Sequence, residues 1–332
     1  MQRLRKLLLP FSWLYGVVVF IRNVCYDWQI FASKRFDIPV ICIGNLSVGG
    51  TGKTPMTEYI AQLLADSYKT AILSRGYKRA TQGFVLADEN ATVRSLGDEP
   101  FQYHCKLPNV TVAVDENRRN GIEQLKTTQG IEVVLLDDGF QHRKVKASFN
   151  VLLTMYGDLY TDDLLLPAGN LRDTKSQAKR ADIIVVTKCP SDLTHQQMIK
   201  TQRRLQLSPK DQLYFSTIEY HSKVIGHKDD RELSDLKSMP FTLVTGIAKP
   251  APLLNYLNAQ GLNFKHLEYS DHHNFTPKEI AELKAHELIL TTEKDFTRLS
   301  EHLDHLYYLP IRVRILNDEN QFNNAILKAA SS

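Results

Sequence analysis

The residues Ser47-Val48-Gly49-Gly50-Thr51-Gly52-Lys53-Thr54 follow an apolar run, Ile38 to Ile43, and precede a helix-like stretch, Pro55 to Leu64. Few folds accept a strand, a glycine-rich turn and a helix in immediate succession. The one built around Gly-Lys-Thr cradles phosphate. Its glycines let backbone N–H groups converge on phosphate oxygens, and the helix N-terminus adds a favourable dipole. In such a loop Lys53 reaches the β- and γ-phosphates and the Thr54 hydroxyl sits on Mg2+. One position departs from the usual pattern, because Ser47 stands where a glycine normally opens the loop. The bland alternative is a glycine-rich turn without a ligand.

Downstream, short apolar runs alternate with amphipathic stretches. Strands are expected at Ile38–Ile43, Thr70–Leu73, Thr111–Val114, Glu132–Leu136, Asn150–Thr154 and Asp182–Thr187. Several are unbroken Val/Ile/Leu runs, as in parallel strands buried on both faces. The layout predicts an α/β fold: a P-loop NTPase-type, doubly wound, mostly parallel sheet with ligands at the carboxyl ends of its strands. A helix follows at Thr194 to Leu207, and Leu213–Ile218 and Leu306–Ile315 read as strands bracketing a second, smaller α/β unit. Inside it, Phe241–Thr245 and Glu287–Thr291 read as strands. Pro250 to Asn258 and Pro277 to Ala285 read as helices, the second capped by Thr276. The expected organisation is a membrane-interface helix region over 1–35, a P-loop domain over 36–215, the smaller domain over 216–315, and a C-terminal helix over 316–332 packing back on the core.

The four cysteines, Cys25, Cys42, Cys105 and Cys189, form no CxxC pair. That fits a reducing compartment and provides no metal or disulfide framework. A net charge of +4 does not argue for a nucleic-acid partner. At the N-terminus Arg3, Arg5 and Lys6 precede an uncharged run from Leu7 to Ile21. As a helix this run spans about 22 Å, short of a hydrocarbon core of about 30 Å. Pro10, Ser12 and Gly16 weaken a spanning helix further, and no small-x-small cleavage site follows. The expectation is a helix lying in a membrane interface, with Trp13, Tyr15 and Trp28 near headgroup level. A buried domain helix and a signal or spanning segment are its rivals.

Val133-Val134-Leu135-Leu136-Asp137-Asp138-Gly139 is an apolar strand ending in two carboxylates. A carboxylate at that strand end can hold the Mg2+ that bridges the β- and γ-phosphates. Adjacent residues on a strand face opposite ways, but past its end both acids can reach one metal shell. Gly97-Asp98-Glu99-Pro100 reads in two ways: as a helix N-cap through Asp98, or as a carboxylate that takes a hydroxyl proton during phosphoryl transfer. Asp271-His272-His273 suits a carboxylate–histidine pairing better than a metal site, with a surface histidine pair as the alternative. Basic groups recur past the strand ends at Arg75, Arg118, Arg119, His142, Arg143 and Arg172, as an anionic substrate would require. Thr187-Lys188-Cys189-Pro190 lacks the Asp of a guanine-reading loop, which favours ATP over GTP.

Together these motifs resemble the tetraacyldisaccharide 4'-kinase family. The resemblance rests on Ile43 to Pro55, Leu73-Ser74-Arg75-Gly76-Tyr77, Gly97 to Pro100 and Leu136 to His142. Leu166 to Arg172, Asp271 to Phe275 and Thr292-Glu293-Lys294-Asp295 complete it, all in the family's order. Ser47 then ceases to be an anomaly, since the family's loop looks the same there. The resemblance implies ATP- and Mg2+-dependent transfer of a γ-phosphoryl group to the 4'-hydroxyl of a tetraacylated glucosamine disaccharide 1-phosphate, giving lipid IV-A. It implies work at the cytoplasmic face of the inner membrane, where a four-chain lipid resides. It assigns phosphates and Mg2+ to Lys53 and Thr54, with Ser47, Val48, Gly49, Gly50, Thr51 and Gly52 completing the ATP loop. The metal-associated acid pair falls on Asp137 and Asp138, the base on Asp98 and its orienting partner on His272. Gln141, His142 and Arg172 match positions near the phosphates, with Arg75 and Arg119 as further substrate contacts. The chain departs from the family at Asp173-Thr174, where Glu-Pro is expected. A membrane-associated P-loop ATPase switch is the alternative from another class. Such switches often carry an extra Lys early in the loop, where this chain has Val48 and Gly49.

Overall fold

The structure is a computed structural model that describes residues 5–207, 211–271 and 273–331. In chain order the strands are β1 (Val40–Asn45), β2 (Thr70–Ser74), β3 (Val85–Leu86), β4 (Thr111–Val114), β5 (Val133–Asp137), β6 (Phe149–Met155), β7 (Ile183–Thr187) and β8 (Gln212–Tyr220). They continue as β9 (Lys223–Gly226), β10 (Asp230–Glu232), β11 (Phe241–Thr245), β12 (Phe264–Glu268), β13 (Ile289–Thr291), β14 (Leu306–Tyr308) and β15 (Ile311–Ile315). Among the described residues nine strands form one sheet in the order β15-β8-β7-β6-β1-β5-β2-β4-β3, and six form another, β10-β9-β14-β13-β11-β12. The large sheet is parallel except at its edges, where β15 on β8 and β3 on β4 run antiparallel. Chain order reverses around β1, which pairs with β5 on one side and β6 on the other. A crevice opens at such a switch point, beyond the carboxyl ends of the strands.

The central strands are buried on both faces. Ile41 and Ile43 pack under Met56, Ile60 and Leu64 of the helix Lys53–Ala65. Val40 and Cys42 face the opposite way, toward Leu125 and Phe140. The C-terminal helix Glu319–Ala330 closes the first face, with the Phe322 ring 5.1 Å from that of Tyr214 and 6.0 Å from that of Tyr59.

The stretch Leu306–Ile315, read above as one strand, divides between the sheets. Leu306–Tyr308 pairs with β13 in the small sheet, and Ile311–Ile315 pairs with β8 in the large one. Pro310 lies between them, and its carbonyl accepts from His221 N at 2.9 Å. The chain therefore leaves the large sheet after β8 and returns as its antiparallel neighbour β15, with the small sheet built in between.

The N-terminal helix is also longer than its apolar run, spanning Leu9–Asp27, about 28 Å at 1.5 Å per residue. Pro10 falls in the first turn, where no backbone donor is needed. Ser12 accepts from Ala168 N at 2.8 Å, and Gly16 leaves room for Leu165. Asn23 is buried and donates to Asp173 Oδ1 at 2.7 Å. Ser12 and Gly16, which weaken a spanning helix, are thus among the residues that dock this helix on the protein. The other side is exposed and apolar, with Phe11, Trp13, Leu14, Val18, Phe20 and Ile21 open to solvent.

Phe322 is fully buried, so Phe322→Ala is expected to cost about 3–5 kcal/mol in urea denaturation. A loss under about 1 kcal/mol would place the C-terminal helix outside the cooperative core.

Candidate active site

The glycine-rich loop leaves β1 at Asn45 and is pinned along one side by the segment 164–173. Val48 N donates to Asn170 O at 2.7 Å, Arg172 N donates to Leu46 O at 2.7 Å, and Ser47 bridges Leu171. Asn45 Nδ2 donates to Thr51 Oγ1 at 2.8 Å, and Thr187 Oγ1 donates to Thr51 O at 2.7 Å. Gly49 and Gly52 adopt φ of 107° and 83°, values that disfavour any side chain. The helix then begins at Lys53, with Gly52 as its cap.

Asp137 ends β5 directly beside Ile43 of β1. It is buried, and its Oδ2 accepts from Ser74 Oγ at 3.3 Å. Asp138 adopts a φ of 49°, which breaks the strand alternation and lets both acids serve one site. Arg172 grips Asp138 with two hydrogen bonds, at 2.9 and 2.7 Å, and also bonds Asn45 Oδ1. Lys53 Nζ lies 3.7 Å from Asp138 Oδ1. Two neighbouring carboxylates therefore sit in opposite electrostatic environments. Burial, reinforced by the Asp138 charge, pushes Asp137 up to about 7. Burial works the same way on Asp138, but its Arg172 hydrogen bonds and the Lys53 charge outweigh it and hold the group at about 2.

Around this pair, Gln141 Nε2 donates to Asn45 O at 2.8 Å, and His142 is held neutral at about 4 by burial and then by the charge of Arg118. Gln141 Oε1, His142 Nε2, Arg118 Nε and Arg172 Nε are buried without a hydrogen-bond partner among the described residues. Buried polar atoms are normally satisfied, so such a group marks a site that polar ligand atoms complete. A buried carboxylate with a raised pKa, together with the half-exposed Thr54 hydroxyl, also suits a hard cation that takes oxygen ligands.

One of the two readings of Asp98 needs correction. Asp98 is not the cap of its helix, because Gly97 occupies that position and Asp98 is the first residue of Asp98–Lys106. Its carboxylate is instead bound by Nε and Nη2 of Arg298, with Nε 2.9 Å from Oδ1. His272 lies outside the described residues, as does Arg3. Of the two arginines opening the helix Arg118–Gln129, Arg118 is the buried one and its charge reaches both Asp137 and Asp138. Arg119 is half-exposed and Arg75 exposed. Reading the sequence missed Asn45, Glu99, whose charge is felt at Asp137, and Arg298. Asn45 could have been found as the polar residue closing an apolar strand; Arg298 carries no local signal. Asp173, where the chain departs from the resembled motif, is fully buried under the N-terminal helix against Asn23.

A phosphate-cradling loop, an acid pair on the adjacent strand and a ring of cations define a P-loop phosphotransferase. Comparison with known proteins narrows the class. Residues 4–331 match the family model described as tetraacyldisaccharide-1-P 4'-kinase. Among relatives named tetraacyldisaccharide 4'-kinase, that of Flavobacterium johnsoniae is 48% identical, covering 99% of this chain and 98% of its own. That of Bacteroides thetaiotaomicron is 47% identical over 98% and 93%. A crystal structure of LpxK from Aquifex aeolicus, described as an "apo" form in complex with ATP, superposes with a TM-score of 0.81 at 31% identity, covering 98% of this chain and 99% of that one. The chain belongs to the tetraacyldisaccharide-1-phosphate 4'-kinase family, and the ATPase-switch alternative is not favoured.

The folded pKa of Asp137 exceeds the ordinary 3.8, so the group's stability contribution is fully present at low pH and is lost as pH rises from about 4 through 7. Asp137→Asn stays neutral. In nucleotide- and metal-free protein it is expected to be more stable than the parent at pH 8 by on the order of 1–3 kcal/mol, the gain vanishing near pH 4. Urea denaturation at the two pH values checks this; an equal gain at both would contradict a buried charge.

Proposed function

We propose that this chain transfers the γ-phosphoryl group of ATP to the 4'-hydroxyl of a tetraacylated glucosamine disaccharide 1-phosphate, yielding lipid IV-A, at the cytoplasmic face of the inner membrane. The observation that carries the site assignment is the single constellation of Lys53, Asp138 and Arg172 beside buried Asp137. The loop from Ser47 to Gly52 receives the phosphates, and Lys53 and Arg172 offset their charge. Thr54, Asp137 and Asp138 would hold Mg2+, which when bound neutralises charge between the β- and γ-phosphates. Buried Gln141, neutral His142 and Arg118 offer further polar atoms to phosphoryl oxygens. Arg75 and Arg119 stand at the rim to meet the anionic lipid. Asp98 accepts the hydroxyl proton as the oxygen attacks phosphorus, and His272 orients it. Arg172 and Lys53 already hold Asp138 before nucleotide arrives, so catalysis consists chiefly of positioning and charge stabilisation.

The N-terminal helix supports the membrane assignment. One of its sides carries the hydrogen bonds of Ser12, Tyr15, Arg22 and Asn23 to the protein, and the opposite side is apolar and exposed. A helix bonded along its length to the body suits lying in the interface better than crossing it.

Incubation with γ-labelled ATP and the disaccharide 1-phosphate lipid should place label in the lipid; label only in free phosphate favours a switch. Lys53→Ala and Asp98→Ala should each lower kcat by roughly 10²-fold or more. Near-normal turnover of Asp98→Ala at saturating lipid would remove it from the role of base. Trp13→Glu with Phe20→Glu should weaken partitioning onto anionic vesicles by roughly tenfold or more while leaving the melting temperature unchanged, since each buried aromatic contributes about 1.5–3 kcal/mol. Unchanged partitioning would discard this face as the membrane contact.

A further inference from the structure

The short helix Glu293–Leu299 follows β13 of the small sheet, yet both of its ends are bonded to the helix that begins with Asp98. At one end Arg298 embraces the Asp98 carboxylate. At the other, Glu293 Oε1 accepts from Lys106 Nζ at 2.7 Å, and Lys106 also donates to Glu58 Oε2 at 2.7 Å. Gln102 Nε2 joins the same two carboxylates at 2.8 and 3.1 Å. Glu58 sits on the helix that follows the phosphate loop, so one ammonium and one amide bind three helices together. Arg298 also reaches a second partner. Its Nη1 donates to His273 O at 3.1 Å, tying the His273 backbone to the same carboxylate. Its side chain is only 10% exposed, so water competes weakly for these bonds.

We propose that Arg298 is a positioning residue for phosphoryl transfer, fixing the plane of the Asp98 carboxylate and holding the His273 backbone beside it. The inference rests on the reading of Asp98 as the group that takes the hydroxyl proton. In that step the hydroxyl oxygen bonds to the γ-phosphorus, the bond from phosphorus to the β–γ bridging oxygen breaks, ADP leaves, and the proton passes to Asp98. A guanidinium fork takes one lone-pair direction on each carboxylate oxygen and leaves the remaining directions to other partners. The carboxylate is thereby oriented rather than merely neutralised. A lysine would supply the charge without the fork. The Glu293–Lys106–Glu58 brace fixes how far that carboxylate stands from the phosphate-loop helix.

The experiment measures steady-state kinetics of full-length protein with lipid substrate in mixed micelles, alongside melting temperatures, for Arg298→Ala, Arg298→Lys, Asp98→Ala and the Arg298→Ala/Asp98→Ala pair. Arg298→Ala is expected to lower kcat by roughly 10²-fold, as a misplaced group does, with the KM for ATP within about twofold. Arg298→Lys should recover about tenfold of that loss. The double variant should fall no further than Asp98→Ala alone, because the arginine acts through the aspartate. Wild-type kcat in Arg298→Ala overturns the inference while leaving Asp98 in its role. Wild-type kcat in Asp98→Ala overturns the reading beneath it. Should Arg298→Ala melt below the assay temperature, Arg298→Lys decides: a reduced kcat at unchanged KM for ATP supports the fork, and wild-type kcat overturns it.

Discussion

Two adjacent carboxylates at the end of a buried strand repel each other, and the architecture around β5 is what tolerates them. Asp138 escapes the strand through its left-handed backbone and is met by Arg172 and Lys53. Asp137 stays in the apolar interior, and its pKa rises because nothing nearby fully compensates it. The compensation works only if Arg172 is fixed in turn, and its backbone is held from both sides. Arg172 N donates to Leu46 O, and Tyr15 donates to Arg172 O at 2.8 Å. The turn after β5 lies so close to β1 that a Cβ on Gly44 would stand 2.6 Å from that of Phe140. The acid pair, the phosphate loop and the 164–173 segment therefore move as one body or not at all. The same arrangement leaves Asp137 destabilising in empty protein, as functional sites commonly are.

That body extends to the N-terminal helix. Arg22 donates to Gln141 O at 2.5 Å and Arg143 donates to Asn23 O at 3.0 Å, so the helix is bonded to the residues that follow the acid pair as well as to the 164–173 segment. An apolar helix with Ser, Asn and Arg along one side is poorly suited to lipid all round and poorly suited to water all round. Its bonded side satisfies the polar groups, and its opposite side leaves a continuous apolar surface that water disfavours. In the proposed function this surface meets the bilayer. The acceptor headgroup would then be presented at a height set by the same residues that hold the phosphate site.

The sequence was most legible where the physics is local. Gly-Lys-Thr, the strand before it and the acidic strand end are set by backbone conformation and charge within a few residues, and the structure brings them together. The central strands are readable because burial on both faces demands unbroken apolar runs. Failures begin where distant partners decide. Leu306–Ile315 carries apolar residues on both sides of Pro310, where the chain changes sheets, because Tyr307 and Leu309 pack in one core and Val313 and Ile315 in another. The strand Phe264–Glu268 sits at a sheet edge, mixes charged with apolar residues and carries no burial signal. Arg118 and Arg119 are chemically identical, and only the phase of their helix decides which one turns inward. Asp98 reads as a cap because Asp before Pro in a first turn is a familiar local pattern, and its actual partner lies 200 positions away.

That long-range pair bears on how the two sheets cooperate. The covalent connection between them is narrow: two chain segments side by side, joined by the hydrogen bond from His221 to Pro310. Such a connection resists rotation weakly, and relative motion is the default expectation for units joined this way. The resistance instead comes from the two ion-pair clusters between Glu293–Leu299 and Asp98–Lys106. Both are largely shielded from solvent, where breaking a charge pair costs far more than at the surface. A change in the angle between the sheets that kept these bonds would leave Asp98 beside His273 and at its set distance from the phosphate-loop helix. A change that broke them would separate the proposed base from Arg298 and His273. The first preserves the proposed reacting geometry and the second disrupts it, so a closure compatible with the proposed chemistry pivots at the strand connection and leaves the brace intact.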